Sequence, residues 1–149
     1  MLSITHGLTG AFIATKIENP LISIPLILAA HYLQDYIPHF DTGTGITKHL
    51  KTKRTAFLQE LFLDFPLSIV SVYFFFTQYQ GLTLLPWLGW FVALCPDFIE
   101  FPFLFLNWRF FPIKELAKVH ALVHRSIQNK FLGLLPQIII VILIYLFSR

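Results

Sequence analysis

The runs FLQELFLDFPLSIVSVYFFF (57–76) and FLGLLPQIIIVILIYLF (131–147) leave this chain little choice of solvent. Each is close to the ~20 apolar residues that a helix needs to cross about 30 Å of hydrocarbon. LLPWLGWFVALCPDFIEFPFLF (84–105) is as long, and PLISIPLILAAHYLQDYI (20–37) is nearly as apolar. Hydrophobic residues make up 56% of the chain and charged residues 13%, where soluble domains carry roughly a quarter charged. The expectation is therefore an all-α, polytopic membrane bundle: a single domain over residues 1–149 with about four spanning helices.

Local signals set the expected boundaries. Helix one, Leu8 to Ile17, is too short to cross a bilayer, so it is re-entrant or buried among its neighbours. Helix two starts at Pro20 or Leu21 and stops at Ile37, because Pro38 disfavours helical geometry just before it. Helices three (Ala56 to Thr77) and four (Leu84 to Leu106) are long enough to span, and Pro66 and Pro96 should kink them. KELAKVHALVHRS is helical in pattern but too polar for lipid, so it is read as an amphipathic helix. The start of the chain lacks a basic region and a cleavage pattern, so helix one should stay in the mature protein. Lone Cys95 excludes a disulfide framework or a thiolate zinc site within one chain. Trp87, Trp90 and Trp108 are expected to face lipid or its interface.

Nine of the eleven Lys and Arg residues lie in two loops: Lys48, Lys51, Lys53 and Arg54 in one, Arg109, Lys114, Lys118, Arg125 and Lys130 in the other. Helices three and four bring those loops to one side of the membrane, which the positive-inside rule makes cytoplasmic. Lys16 and Arg149 fall near the other face.

Polar residues gather toward the same side. His31 and Asp35 are four apart on helix two, with His39 and Asp41 just past its end; Asp97 and Glu100 share a face of helix four, and His120 and His124 a face of the amphipathic helix. Glu60 and Asp64 open helix three, and His6 precedes helix one. Carboxylates this close repel one another when ionised and unpaired, and a divalent cation relieves that repulsion. His with Asp or Glu and no Cys suits zinc first, then Mn or Fe(II), as one or two ions. The expected metal set is His6, His31, Asp35, His39, Asp41, Asp97, His120 and His124, with Asp64 and Asp97 as catalytic carboxylates. Glu60 and Glu100 are expected to pair with the basic loops, and His49 belongs to a solvated basic face. Lys48, Lys51 and Arg125 would give the mouth a positive field that favours a substrate phosphate.

ITHGLTGAF, AAHYLQDYIPHFD, CPDFIE and VHALVHRSIQ, in that order, resemble the motifs of small bacterial inner-membrane-associated metal-dependent hydrolases. That group includes a LexA-regulated member and is similar, more distantly, to the all-helical zinc-dependent phospholipase C and nuclease superfamily. The resemblance implies an all-α bundle in the bacterial inner membrane, a His- and Asp-lined metal centre and phosphodiester hydrolysis. It matches His6 to the amino-terminal histidine, His31, Asp35, His39 and Asp41 to the central motif, Asp97 to the later aspartate, and His120 and His124 to the last pair. One departure stands out: some relatives end HRG-x-TH, whereas here Ile127, Gln128 and Asn129 follow His124-Arg125-Ser126.

The expected partners are membrane lipids and an anionic small-molecule or lipid substrate, without nucleic acid; oligomeric state is left open. Two alternatives stand beside the hydrolase: a proton- or metal-ion-conducting transporter, and a structural membrane protein whose polar core is interhelical glue. The polar residues stop halfway along helix three, which favours an enclosed site over a conducting path.

Overall fold

The computed structural model describes residues 1–46, 49–78, 81 and 83–148. Among these the helices are α1 (Ser3–Lys16), α2 (Pro20–Tyr36), α3 (Lys53–Gln59), α4 (Phe65–Val72), α5 (Leu84–Phe105), α6 (Ile113–Val123) and α7 (Lys130–Phe147). Two π-helical segments, Glu60–Asp64 and Tyr73–Thr77, join and extend α3 and α4 into one rod, Lys53–Thr77.

Short polar signals start three of these helices. The Asn19 side chain accepts from Leu21 N–H at 3.0 Å ahead of α2, the Thr52 hydroxyl accepts from Thr55 N–H at 3.1 Å ahead of α3, and Asn129 accepts from Leu132 N–H at 3.1 Å ahead of α7. Each satisfies an N–H that the first turn leaves without a partner. Helix α1, like α4, α5 and α6, has no cap from its own N-cap side chain. Asp64 caps it from the adjoining rod, accepting from Ser3 N–H at 2.7 Å and Ile4 N–H at 3.2 Å. That cap lets α1 begin at Ser3 rather than at Leu8. Pro66 lacks the N–H that would bond the Phe62 carbonyl, and the chain answers with a wide turn in which Phe65 N–H reaches back to Glu60 O. Helix α5 runs on through Pro96 and Pro102.

Three helices, Lys53–Thr77, Leu84–Phe105 and Lys130–Phe147, are long and apolar enough to cross a membrane. Helix α2, at 17 residues with Pro25 inside, is shorter, and α1 has 14. Large apolar side chains cover the outside of the long helices: Phe62, Leu67 and Phe74 on the first, Phe91 and Phe98 on α5, Ile138 and Ile142 on α7. His6, His31, Asp35, His39 and Asp64 are buried instead. An apolar exterior around an ionisable interior is the pattern expected of a chain solvated by lipid.

Helix α1 is the axis, packed against α2, α4, α5 and α7, so the buried alternative for helix one holds. Gly10 and Gly89 let α1 and α5 touch backbone to backbone: a Cβ on Gly10 would lie 2.2 Å from Gly89 O, and one on Gly89 would lie 2.1 Å from Gly10 O. Trp87 and Trp90 are half-buried and pack one side against the buried cluster of Leu8, Ala11, Val72, Phe76 and Ile144. Trp90 Nε1–H also donates to Ser68 Oγ at 3.0 Å, a bond that hydrocarbon outside could not supply. Gln137 ties α7 to the rest, accepting from Leu2 N–H at 2.9 Å and donating to Phe40 O at 2.7 Å.

Replacing Gly89 by Val would force α1 and α5 apart. We expect a loss of about 1–3 kcal/mol or more, seen as a lower melting temperature in detergent; an unchanged melting temperature would contradict the close approach.

Candidate metal centre

Helix α2 places His31 and Asp35 on one face, one turn apart, and the other donors come to them. Asp35 is fully buried. Its Oδ2 lies 2.7 Å from His120 Nε2 and 3.3 Å from His31 Nε2; its Oδ1 lies 3.1 Å from His6 Nε2 and 3.7 Å from His39 Nε2. Oδ1 also pairs with the Met1 ammonium, which is 2.8 Å from His6 Nε2.

Two donor groups share this carboxylate. His31, Asp35, Asp97 and His120 form the first and Asp35, His39 and His124 the second, with one ligand atom from each residue within 4.8 Å of the others in its group. Asp97 Oδ1 is 3.7 Å from His31 Nε2 and 3.9 Å from His120 Nε2. In the second group His39 Nε2 and His124 Nε2 stand 3.1 Å apart, and Asp41 Oδ2 lies 3.0 Å from one and 3.1 Å from the other. Backbone pairing holds that group together. Arg125 N–H donates to Asp35 O at 2.9 Å, His39 N–H to Arg125 O at 3.0 Å and Ile127 N–H to His39 O at 2.7 Å.

The tautomers decide what these nitrogens can do. His31 Nδ1 is 2.8 Å from Ala93 O, His39 Nδ1 is 2.8 Å from Ile37 O and His6 Nδ1 is 2.9 Å from Gln34 Oε1. Those oxygens can only accept, so each Nδ1 carries the proton and donates it. That leaves Nε2 of His31 and His39 turned inward on Asp35, Asp41 and Asp97, whereas His6 Nε2 meets the Met1 ammonium; where such an Nε2 carries no proton, it sets a lone pair against carboxylate lone pairs. Acceptor facing acceptor is repulsive unless a cation, either a proton or a metal ion, lies between them. His31 Nε2 is buried and, among the described residues, has no hydrogen-bond partner. His120 Nδ1 comes within 2.9 Å of Glu100 Oε2, off the line of a hydrogen bond. A histidine fixed at one nitrogen by a carbonyl or carboxylate and open at the other is the usual metal ligand.

The spacing fits as well. Zinc bound at 2.0–2.2 Å in a tetrahedron separates its ligands by roughly 3.3–3.6 Å, and the pairs above bracket that range. Sulfur is absent from both groups, which suits zinc and also Mn or Fe(II).

Without a metal, protons do the same work. Burial disfavours a charged His120, but its bond to Asp35 and the nearby Glu100 outweigh burial and push its pKa up to about 10. Burial also works against ionised Asp41, yet hydrogen bonds from His124 and His39 hold its pKa well below the carboxylate range. His6 goes the other way, kept neutral by burial first and then by the adjacent Met1 ammonium and His31.

The structure thus brings His31, Asp35, His39, Asp41, Asp97, His120 and His124 together. His6 touches Asp35 from the side of the Met1 ammonium and lies outside both donor groups. Asp64 is turned to the first turn of α1 rather than to the histidines. Lys51 donates to Thr42 O at 3.0 Å, Arg125 lies 3.7 Å from the Tyr36 ring centroid, and Lys48 is outside the described residues. Glu60 accepts from Ser3 Oγ at 2.6 Å and Thr42 Oγ1 at 2.8 Å and, among the described residues, pairs with no lysine. Sequence reading missed Gln34 and left Glu100 outside the metal set, though it grouped Glu100 with Asp97. Glu100 was signalled by its place one turn beyond Asp97; the Ala93 and Ile37 carbonyls carry no sequence signal.

No family model matches the chain, and no curated protein or solved structure matches it.

Two measurements follow. Glu100→Gln should weaken metal binding by about 10–100-fold, read as a shift in a chelator-competition curve; equal curves would remove Glu100 from the support of His120. In chelator-treated protein, His120 contributes stability that is full below its ordinary 6.5 and is lost as pH rises through about 10. The melting temperature of the metal-free protein should fall over that window, and His120→Gln should flatten the fall.

Proposed function

We propose that this protein is a membrane-embedded, metal-dependent hydrolase acting on a phosphoester, soluble or lipid-linked. One observation carries the reading: buried histidines with Nδ1 committed to acceptors turn their Nε2 lone pairs onto carboxylates, an arrangement that calls for a cation. The resemblance to inner-membrane metal-dependent hydrolases points the same way. The proposal extends to a bacterial inner membrane, the basic loops on the cytoplasmic side, and α2 embedded as a fourth segment beside the three membrane-length helices.

In the first group His31, Asp35, Asp97 and His120 would hold an ion, and in the second Asp35, His39 and His124, with Asp41 adjoining. A divalent ion there supplies Lewis-acid polarisation of a phosphoryl oxygen and a nucleophile from water at neutral pH. The remaining work belongs to side chains. Asp97 is 35% exposed and His124 30%, while Asp35, His31 and His39 are sealed. The mouth of the centre therefore lies at Asp97 and His124, where a substrate arrives and where Asp97 can accept a proton from an attacking water. Asp35, held from several sides, keeps both donor groups in place and is too enclosed to exchange protons with solvent.

Elemental analysis of detergent-purified protein should find one or two equivalents of zinc, manganese or iron, with loss in His31→Ala/Asp35→Ala protein that elutes as the same folded species. Hydrolysis of bis(p-nitrophenyl) phosphate should fall by about 10²–10⁴-fold in Asp97→Ala. No stoichiometric metal after reconstitution, in a parent that turns over no phosphoester, would return the cluster to a proton relay or a structural network.

A further inference from the structure

Phe40 stands between His39 and Asp41, and two ammonium groups share its ring. Lys51 Nζ is 5.6 Å and Lys130 Nζ 5.7 Å from the ring centroid. Of the described lysines, Lys118 alone makes an ion pair, with Glu115. Lys51 and Lys130 thus sit together without a carboxylate partner. Burial lowers the pKa of Lys51, Asp41 opposes that and Lys130 adds to it. Lys130 also occupies the first turn of α7, where the positive end of the helix dipole disfavours a cation. Three positive features converge here, and an anion would relieve all three.

A space for one is present. A cavity of about 220 Å³ is lined by Phe40, Thr44, Lys51, Gln59, Gln128 and Lys130, among others. It is smaller than the roughly 300–1,000 Å³ that holds drug-sized ligands, which suits a headgroup-sized anion, and its two amide side chains can donate. One turn separates it from the metal-binding residues: Thr44 Oγ1 donates to Asp41 Oδ1 at 3.1 Å, and Asp41 touches His39 and His124. Lys130 is the first residue of one membrane-length helix and Lys51 lies two residues ahead of another, the depth at which lipid phosphates lie.

We infer that this cavity is a phosphate-binding subsite, in which Lys51 and Lys130 hold the phosphoryl group of a lipid headgroup or of a soluble phosphoester. Its service to catalysis rests on the hydrolase reading above; the anion binding does not. Lys51, one of the expected phosphate-binding residues, is then joined by Lys130 in selecting the phosphate.

The test is calorimetric titration of the full-length protein in neutral detergent with inorganic phosphate and with short-chain phosphatidic acid, with metal content measured on the same samples. Both probes, or the lipid alone, should bind the parent, and Lys51→Ala/Lys130→Ala should bind roughly tenfold or more weakly at unchanged metal content. Lys51→Arg/Lys130→Arg should retain binding, which guards against a folding defect in the alanine protein. Tighter binding of phosphatidic acid than of inorganic phosphate assigns the site to a lipid headgroup; equal binding assigns it to free phosphate. Absence of binding by the parent, or full binding by the alanine variant, overturns the subsite. Loss of phosphate binding in the alanine variant of a metal-free parent upholds the subsite and defeats the hydrolase reading alone.

Discussion

A buried carboxylate surrounded by imidazoles organises this molecule. Asp35 is fully buried, and four histidine Nε2 atoms from α1, α2, α6 and the segment after α2 lie within 3.7 Å of its two oxygens. An ionised carboxylate taken out of water costs several kcal/mol even in a relaxed protein interior, so the surrounding helices must return that energy at one point. They do so only if α1, α2, α5 and α6 all arrive in register. The remaining devices serve that convergence: the Gly10–Gly89 approach sets α1 against α5, Asp64 caps α1 at Ser3, and the Arg125 backbone bridges Asp35 and His39.

In the membrane proposed for this chain, a polar set placed inside would follow from the solvent outside. Lipid tails compete with neither hydrogen bonds nor ion pairs, and apolar contact between helices gains little over apolar contact with lipid. Specific association then depends on close backbone approach and on polar groups that have nowhere else to go. Gln137 shows the second effect, joining Leu2 to Phe40 across α7. A centre built this way is rigid on its sealed side and open where Asp97 and His124 reach the surface. The proposed phosphate subsite adjoins that same end, at the heads of two long helices.

Most of the donor set was legible in the sequence because helical periodicity is local. His31 with Asp35 and His120 with His124 announce shared faces by a spacing of four, and the apolar sequence around Asp97 marks it as costly and therefore used. Asp64 carries the same local signals, yet it caps α1. Spacing fixes the face of a residue's own helix but not which neighbour meets that face. Trp90 shows the same limit: an amphipathic ring suits an interface and an interior alike, and only the fold shows that Ser68 across the helix gap accepts its N–H.

The sequence by itself determined that the chain is helical and rich in apolar helix faces, where α2 starts and stops, and that its acids and histidines cluster toward one end, whereas the start of α1 at Ser3 depended on Asp64 of another helix. Hydropathy, proline positions and capping residues act within a few residues of chain, so they can be read without a fold. Only the tertiary structure decided that the donors divide into two groups sharing Asp35, that Ala93 O holds His31 Nδ1 and Gln34 Oε1 holds His6 Nδ1, and that Lys51 and Lys130 meet over Phe40. Those relations join residues tens of positions apart, and they exist only once close helix packing has brought their faces together.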